Sequence, residues 1–273
     1  MGTARTRDSL KRRAAVGDER RAVYRLDLVY DGTAFKGWAR QPGQRTVEDE
    51  LERAVATALR ERVRLSVAGR TDAGVHALAQ VASFATSAPV VPARLRLSLN
   101  ALLPSDIAVT AVIRAADHFV AREAAARTYR YRLWVSPVRP VHARLYVWSP
   151  RGAVDTSALQ PVARMFVGRH DFAALTPSAH LYRSCVREVT AADWRPAPRA
   201  PAANPGAGEE WVFEIIADSF LHNMVRVAVG SMVDVAQGRM TVEQLAASLE
   251  SGERRRMGQT APARGLALVA VAY

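Results

Sequence analysis

A six-residue loop from Gly69 to Gly74 carries the combination of side chains best suited to chemistry. Arg70, Thr71 and Asp72 lie between two glycines, directly after a segment of alternating apolar residues. Glycines permit a tight turn, and loops held on a rigid scaffold often position catalytic groups. From these residues alone, a carboxylate nucleophile and a simple turn with an Arg–Asp pair are about equally supported.

An ionised aspartate in a dry pocket needs a cation nearby, because an opposite charge favours the charged form. Arg226 is the candidate, since it lies in a segment that is apolar on almost every side and is predicted to be a buried helix. A buried arginine requires a carboxylate partner. Asp72 is one candidate partner, and Asp234 and Glu214 are the alternatives.

The charge balance favours a polyanionic partner. Lys and Arg number 38 against 26 Asp and Glu, a net charge of +12, and only Lys11 and Lys36 are lysines. Genomic bias can explain the choice of arginine over lysine, but it does not explain the net charge. Arginine suits phosphates and stacks on bases, which favours nucleic acid. Candidates for contacts to a phosphate backbone are Arg122, Arg127, Arg183 and Arg187.

Several classes of protein are disfavoured by what the sequence lacks. It has no run of about eighteen apolar residues, so no membrane span is expected, and its Arg-rich start does not resemble a secretory signal. The single cysteine, Cys185, suits a reducing cytoplasm. Scattered histidines and the lack of a Gly-rich phosphate loop predict neither a metal nor a nucleotide cofactor.

Strands are predicted where apolar and polar residues alternate, and helices where apolar residues recur at helical spacing. The predicted strands are Tyr24–Tyr30, Val63–Val67, Ile107–Ile113, Thr128–Val135, Cys185–Trp194, Trp211–Ala217 and Gly265–Val271. The predicted helices are Thr46–Leu59, Pro92–Leu103, Ser157–Phe166, Ser219–Gln237 and one opened by a capping box of Thr241 and Gln244. This order has no regular βαβ rhythm, so we expect an α+β fold with largely antiparallel sheets.

The loop and its flank through His76, with Gln80 and Val81, resemble the active-site signature of the TruA family of tRNA pseudouridine synthases. Other segments resemble further motifs of that family in the same order, from about Tyr24 to Tyr273. These segments are Tyr30–Trp38 with Arg45–Val47, Arg127–Tyr131, Phe220–Arg226 with Gly230, and Thr260–Leu266. The sequence departs from the family at Ala39 and around Phe119–Glu123, which concerns local RNA contacts.

The resemblance implies a role for each candidate residue. Asp72 is expected to be the nucleophile, Arg226 its ion-pair partner, and Tyr129 the tyrosine that packs on the target base and helps with proton transfer, so these three are the expected catalytic residues. From the residues alone, Tyr129 would be an ordinary core tyrosine on an alternating strand. The residues expected to bind the substrate are Tyr129, Arg70, Thr71, His222 and Arg122. His222 is placed four residues before Arg226, on the same face of the predicted helix.

The resemblance also implies a pseudouridine synthase fold, with two similar halves of mainly antiparallel sheet flanked by helices around a basic cleft. We expect a disordered basic tail over residues 1–21, a catalytic half over 22–118 and a second half over 119–273. The implied substrate is uridine at positions 38 to 40 of the tRNA anticodon stem-loop, the implied assembly is a homodimer, and no cofactor is expected.

Three alternatives remain at this point. The first is a non-catalytic RNA-binding or RNA-folding protein on the same scaffold, against which Asp72, Tyr129 and Arg226 argue. The second is a pseudouridine synthase with another RNA target, and the third is a nuclease, for which no metal-binding carboxylates or histidine pair are evident. The sequence does not decide whether the aspartate adduct forms on the ribose or on the uracil.

Overall fold

The computed structural model describes residues 21–198 and 208–273. The tail predicted over residues 1–21 therefore falls outside the described residues, apart from its last member. The exposed loop predicted between Arg195 and Gly208 falls outside them at residues 199–207.

The first part of the chain folds into four strands and two helices. In chain order these are β1 (Ala22–Tyr30), α1 (Val47–Leu59), β2 (Ser66–Val67), β3 (His76–Thr86), α2 (Pro92–Leu102) and β4 (Ile107–Arg114). Thr46 caps α1 by accepting a hydrogen bond from the Asp49 amide at 3.4 Å, as its spacing predicts.

The second part of the chain supplies five more strands and three helices. These are β5 (Ala126–Val135), α3 (Leu159–Ala163), β6 (Gly168–Asp171), β7 (Val186–Pro196), β8 (Glu209–Ala217), α4 (Met224–Ala236), α5 (Val242–Ser251) and β9 (Leu266–Ala272). The predicted capping box is present at α5, where Thr241 and Gln244 each bond the other's backbone amide.

One continuous sheet carries these strands in the order β4-β1-β3-β9-β5-β8-β7-β6, with β2 paired to β3. Every pairing is antiparallel except the one between β3 and β9, which joins His76–Ala77 to Ala267–Leu268. The predicted α+β fold with a largely antiparallel sheet is therefore confirmed. Since β9 also pairs with β5, it joins the strands of the first part to those of the second.

Strands such as β1 and β5 bury alternate residues and so turn one face to the core, whereas β3 is buried along most of both faces. In β5 the buried set is Arg127, Tyr129, Tyr131 and Leu133, while the intervening residues are half-exposed. Helix α4 packs deepest, with eleven of its thirteen residues buried, as its apolar sequence predicts. Gly230 on α4 is needed for close packing, since a Cβ there would lie 1.8 Å from the Gln259 carbonyl oxygen.

Three element predictions need correction. The helix predicted from Ser219 begins only at Met224, because Asn223 has a left-handed backbone (φ 62°) that a right-handed helix cannot contain. The strand predicted over Val63–Val67 pairs only at β2. Strand β3 was not predicted, because it is buried along most of both faces and so lacks alternation.

The remaining helix prediction is close to the structure. Near Ser157–Phe166, α3 is extended at both ends by 3₁₀ turns, Thr156–Ala158 and Arg164–Phe166. In the part of the chain that the structure describes, no helix is both long and apolar enough to cross a bilayer.

Candidate active site

A cleft of about 1210 Å³ opens between the 69–74 loop, β5 and the segment that precedes α4. Its lining includes Gly69–Ala73, Tyr129 and Phe220–Val225. The sequence motifs separated by more than 150 residues therefore meet at one place, and this place has the size of a nucleotide-binding pocket.

The 69–74 loop is held by backbone contacts to the segment after β1. The Trp38 amide donates to the Thr71 carbonyl at 2.9 Å, and the Gly74 amide donates to the Phe35 carbonyl at 3.2 Å. Gly37 has a positive φ of 96°, and a Cβ there would lie 2.9 Å from the Thr71 carbonyl oxygen. Glycine at this position thus permits both the backbone conformation and the close approach that fix the loop.

Behind the loop, Thr71 belongs to a buried polar network. Its Oγ1 lies 2.8 Å from the Tyr30 hydroxyl, which also accepts a hydrogen bond from Gln80 Nε2 at 3.1 Å. Gln80 Nε2 donates in addition to the Gly69 carbonyl at 2.7 Å. Burial raises the pKa of Tyr30 to about 12, so the phenol stays neutral and the network is uncharged.

Asp72 lines the cleft and forms an ion pair with Arg226, whose Nη1 lies 3.4 Å from Asp72 Oδ2. Both side chains are largely buried, at 20% and 18% exposure. The two alternative acids have other partners: Asp234 pairs with Arg239, and Glu214 pairs with Arg130 and Arg195. Arg226 thus lies beside the loop carboxylate, and a buried charge is compensated.

Two further contacts fix the Arg226 guanidinium. Nε donates to the Ala261 carbonyl at 2.8 Å, and Nη1 donates to Asn223 Oδ1 at 2.7 Å. The Ala261 amide in turn donates to the Arg226 carbonyl at 3.0 Å. These two hydrogen bonds between Arg226 and Ala261 form because residues 259–261 pass close to Gly230 on α4. The segment that contains Ala261 therefore positions the Arg226 side chain.

Tyr129 is buried in the wall of the cleft. Its ring meets Phe220 edge to face at a centroid distance of 5.0 Å. Its hydroxyl lies beside Gly69, 3.4 Å from where a Cβ on that glycine would be. Burial and the nearby Tyr30 and Asp72 raise the pKa of the Tyr129 phenol above its usual range. The phenol is therefore neutral near pH 7.

His222 approaches Asp72 from the other side. Its Nε2 lies 3.7 Å from Asp72 Oδ1, and its Nδ1 lies 3.0 Å from Ser178 Oγ. The His222 backbone amide donates a hydrogen bond to the Tyr182 hydroxyl at 3.0 Å. The prediction that His222 shares a helix face with Arg226 is wrong, because it lies in the turn before α4. Sequence reasoning missed Ser178 and Tyr182, which no pattern marks.

Arg70 and Arg122 line the cleft with exposed side chains. Arg183 is exposed and Arg187 half-buried, the latter with its guanidinium 5.7 Å from the centre of the Tyr182 ring. These four arginines are placed where they can meet a phosphate backbone along or near the cleft.

Arg127 is different from the other candidate RNA-contact arginines. It is only 8% exposed, and its guanidinium donates to four backbone carbonyls, those of Ala68, Ala124, Asp218 and Arg122. Four of its five N–H donors serve the protein backbone and the side chain is buried, so its interpretation as an arginine that contacts the RNA backbone needs correction. Its hydrogen bonds instead link three segments near the cleft, those that contain Ala68, Arg122–Ala124 and Asp218.

Within residues 21–198 and 208–273, no group of three or more His, Cys, Asp or Glu side chains is arranged to hold a metal ion. The cleft therefore offers a carboxylate, a guanidinium, an imidazole and a neutral phenol. Such a set suits covalent catalysis by a carboxylate combined with proton transfer.

Comparison with known proteins agrees with the arrangement of these motifs. A family model described as tRNA pseudouridine synthase matches residues 28–120 and 162–273. A relative from Pelobacter propionicus, called tRNA pseudouridine synthase A, is 41% identical over 250 residues, covering 91% of this chain and 98% of the relative. A relative of the same name from Solidesulfovibrio magneticus is 43% identical over 265 residues, covering 92% and 91%.

Proposed function

Because this chain belongs to the tRNA pseudouridine synthase family and isomerises uridine in tRNA, we propose that Asp72 is the nucleophile of that reaction. The observation that carries the proposal is the ion pair between Asp72, which lines the cleft, and Arg226. The pair places a carboxylate beside a compensating cation in a largely buried position, and a carboxylate is a group that can act as a nucleophile.

The two carboxylate oxygens of Asp72 have different surroundings. Oδ2 accepts from Arg226, while Oδ1 has only the longer 3.7 Å contact to His222 Nε2. Oδ1 is therefore the oxygen that attacks, and Arg226 stabilises the charge that returns to the carboxylate when the adduct breaks down. Attack on either the ribose C1′ or the uracil is compatible with this assignment.

The target uridine must leave its stack to reach Asp72, at a cost of about a few kcal/mol. Tyr129, held by Phe220, supplies a rigid apolar surface against which the flipped base packs. Arg70 and Arg122 contact the RNA backbone beside the extruded nucleotide, which offsets part of that cost. Thr71 contributes by holding the loop through Tyr30.

The preferred substrate that we propose is the anticodon stem-loop of tRNA, with uridine at positions 38 to 40. The family resemblance supports this choice, and the net charge of +12 supports a large anionic substrate. We propose in addition that the enzyme acts in the cytoplasm as a homodimer. Sedimentation of the purified chain tests the dimer, and a concentration-independent monomer mass contradicts it.

We also propose that the chain is divided into an N-terminal half, residues 22–118, and a C-terminal half, residues 119–273. The first half carries Asp72, and the second carries Tyr129 and Arg226, so neither half holds the complete site. Separate expression of the two halves tests the division. Each half should give a cooperative unfolding transition, and neither should isomerise uridine alone.

The test of the nucleophile is tritium release from tRNA labelled with [5-³H]uridine. The wild type should release tritium, and Asp72→Asn should release none while it still folds and binds tRNA. Release by the variant would contradict the assignment of Asp72. Silence from both proteins with several tRNAs, with RNA still bound, would instead favour a non-catalytic RNA-binding protein. Sequencing of the modified tRNA then tests positions 38 to 40.

A further inference from the structure

Isomerisation of uridine requires a proton transfer that Asp72 and Arg226 do not explain. Once C5 of the uracil is bonded to C1′ of the ribose, C5 carries both the sugar and its original hydrogen. The C5–H bond must then break, its electron pair must form the C5=C6 double bond, and N1 must gain a proton. The reaction therefore needs a base close to the nucleophile, but it needs no outside reactant.

We propose that His222 is the base that removes the proton from C5. The inference rests on the proposed role of Asp72, because it uses the position of His222 beside the attacking oxygen. Nε2 of His222 lies 3.7 Å from Asp72 Oδ1, the oxygen that Arg226 leaves free. A base at this distance from the attacking atom lies within reach of the ring atoms of a uracil bound there.

The contact with Ser178 prepares the imidazole for this role. Ser178 Oγ lies 3.0 Å from Nδ1. In the tautomer whose Nδ1–H donates to Ser178, the lone pair is on Nε2, the nitrogen next to Asp72. The Tyr182 hydroxyl lies 3.0 Å from the His222 backbone amide, which donates to it and fixes the turn. Both ends of the residue are thus held while the ring faces the cleft.

The other groups of the cleft are poorly suited to accept a proton near neutral pH. The titratable and charged residues of its lining, apart from Asp72 and His222, are Lys36, Glu48, Arg70, Arg122, Arg127, Tyr129 and Tyr182. Glu48 accepts a hydrogen bond from the Arg40 amide and lies at the start of α1. Histidine is the side-chain type that changes charge between about pH 5 and pH 8.

Tyr129 is the competing candidate, since it lies in the same cleft. A phenol acts as a base only after it has lost its proton, and burial raises the pKa of Tyr129 above its usual range. His222, by contrast, is 46% exposed along its side chain, so it can exchange its proton with water. That exchange accounts for release of the C5 hydrogen to solvent, while N1 takes its proton from His222 or from water.

The charged group in contact with His222 is Asp72 on the 69–74 loop, and Arg226 on α4 pairs with that carboxylate. The segment after Thr176 contacts His222 through the hydroxyls of Ser178 and Tyr182. Because a base acts only in its unprotonated form, turnover should fall at acidic pH.

His222→Gln tests the assignment, since glutamine is similar in size but does not accept a proton near neutrality. The expected loss in kcat is about 10²- to 10⁴-fold, with tRNA binding unchanged. With [5-²H]uridine in the tRNA, a primary isotope effect should appear or grow in the variant, because C5–H cleavage becomes slower. The fall in kcat at low pH should also disappear.

A second variant and a matched control complete the experiment. His222→Ala should regain activity when imidazole is added, whereas a purely structural loss would not be rescued. His180→Gln, which changes a nearby exposed histidine outside the cleft lining, should behave as the wild type. Unchanged kcat and isotope effect in His222→Gln, or a loss confined to tRNA affinity, would overturn the inference. Because the wild type and Asp72→Asn are assayed together, failure of the proposed nucleophile is recognised separately.

Discussion

Asn223 Oδ1 accepts a hydrogen bond from Arg226 Nη1 at 2.7 Å, a shorter contact than the 3.4 Å from the same nitrogen to Asp72. The left-handed backbone of Asn223 both ends the turn from Phe220 and begins α4. Asparagine is one of the few residues with a side chain that tolerates this conformation. A single residue thus sets the start of the helix and the direction of its arginine.

Substitutions of Asn223 should separate these two functions. Glycine adopts the left-handed backbone of position 223 without steric cost, whereas alanine does not. The free energy of unfolding of Asn223→Ala should therefore be about 1 kcal/mol lower than that of Asn223→Gly. Both variants lack the amide that holds Arg226, and kcat should fall by about 10-fold or more in each. Chemical denaturation and tritium release measure the two effects. Equal activity of the glycine variant and the wild type would show that the amide has no part in positioning Arg226.

Removing the hydroxyl of Tyr129 should have a small effect. Tyr129→Phe keeps the edge-to-face contact with Phe220, and the neutral phenol is not assigned a proton transfer. We expect kcat to stay within about 10-fold of the wild type. Tyr129→Ala should lower the free energy of unfolding by about 3–5 kcal/mol, because it leaves a cavity. A loss of turnover in Tyr129→Phe as large as that in His222→Gln would contradict this division of roles.

Arg127 and Arg122 should respond in opposite ways to substitution. Arg127→Met leaves four carbonyls without their donor and should lower the free energy of unfolding by about 2–4 kcal/mol. Arg122→Ala should leave stability within about 0.5 kcal/mol and reduce the salt dependence of tRNA binding by about one phosphate contact. Thermal unfolding and binding titrations at several salt concentrations measure both. A stable Arg127→Met protein with weakened, less salt-dependent binding would reverse the interpretation.

Glu214 should make stability depend on pH at the acid end. The Arg195 hydrogen bond, against the opposing effect of burial and with help from Arg130, holds the pKa of Glu214 below its usual 4.5. Since the folded pKa is depressed, the stabilisation is fully present above 4.5 and is lost as pH falls through the folded value. Glu214→Gln should therefore be less stable than the wild type at neutral pH, and the difference should shrink below 4.5. Denaturation over a pH series tests this, and a constant difference would contradict it.

Local patterns predicted much of the fold. Alternation identified β1 and β5, and the Thr46 and Thr241 caps located the starts of α1 and α5, because each depends on neighbours in sequence. Strand β3 was not predicted because neighbouring residues cover most of both its faces. Its sequence therefore shows no alternation of apolar and polar residues. The start of α4 was misplaced because Phe220 and Leu221 continue the apolar run, and only the backbone angle of Asn223 interrupts it.

The candidate site was partly predictable for a related reason. Asp72, Tyr129 and Arg226 were selected by motifs, yet residues alone left Asp234 and Glu214 as equal partners for the arginine. The distance between Asp72 and Arg226 depends on packing between segments 154 residues apart. Arg127 shows the converse, since nothing in a strand sequence distinguishes an arginine that binds phosphate from one whose side chain donates to four backbone carbonyls.

The parallel pairing of β3 with β9 has a consequence for the order in which the enzyme matures. Residues His76 and Ala267 are direct neighbours in the sheet, although β9 follows every other strand in the chain. Leu266, the first residue of β9, also lines the cleft. During synthesis, the other strands emerge from the ribosome before this seam can form, so a nascent chain holds the Asp72 loop without a finished cleft. The active site is therefore completed in one late folding step, the pairing of β9 with β3. This step should be slow, because it joins strands that are far apart in the sequence.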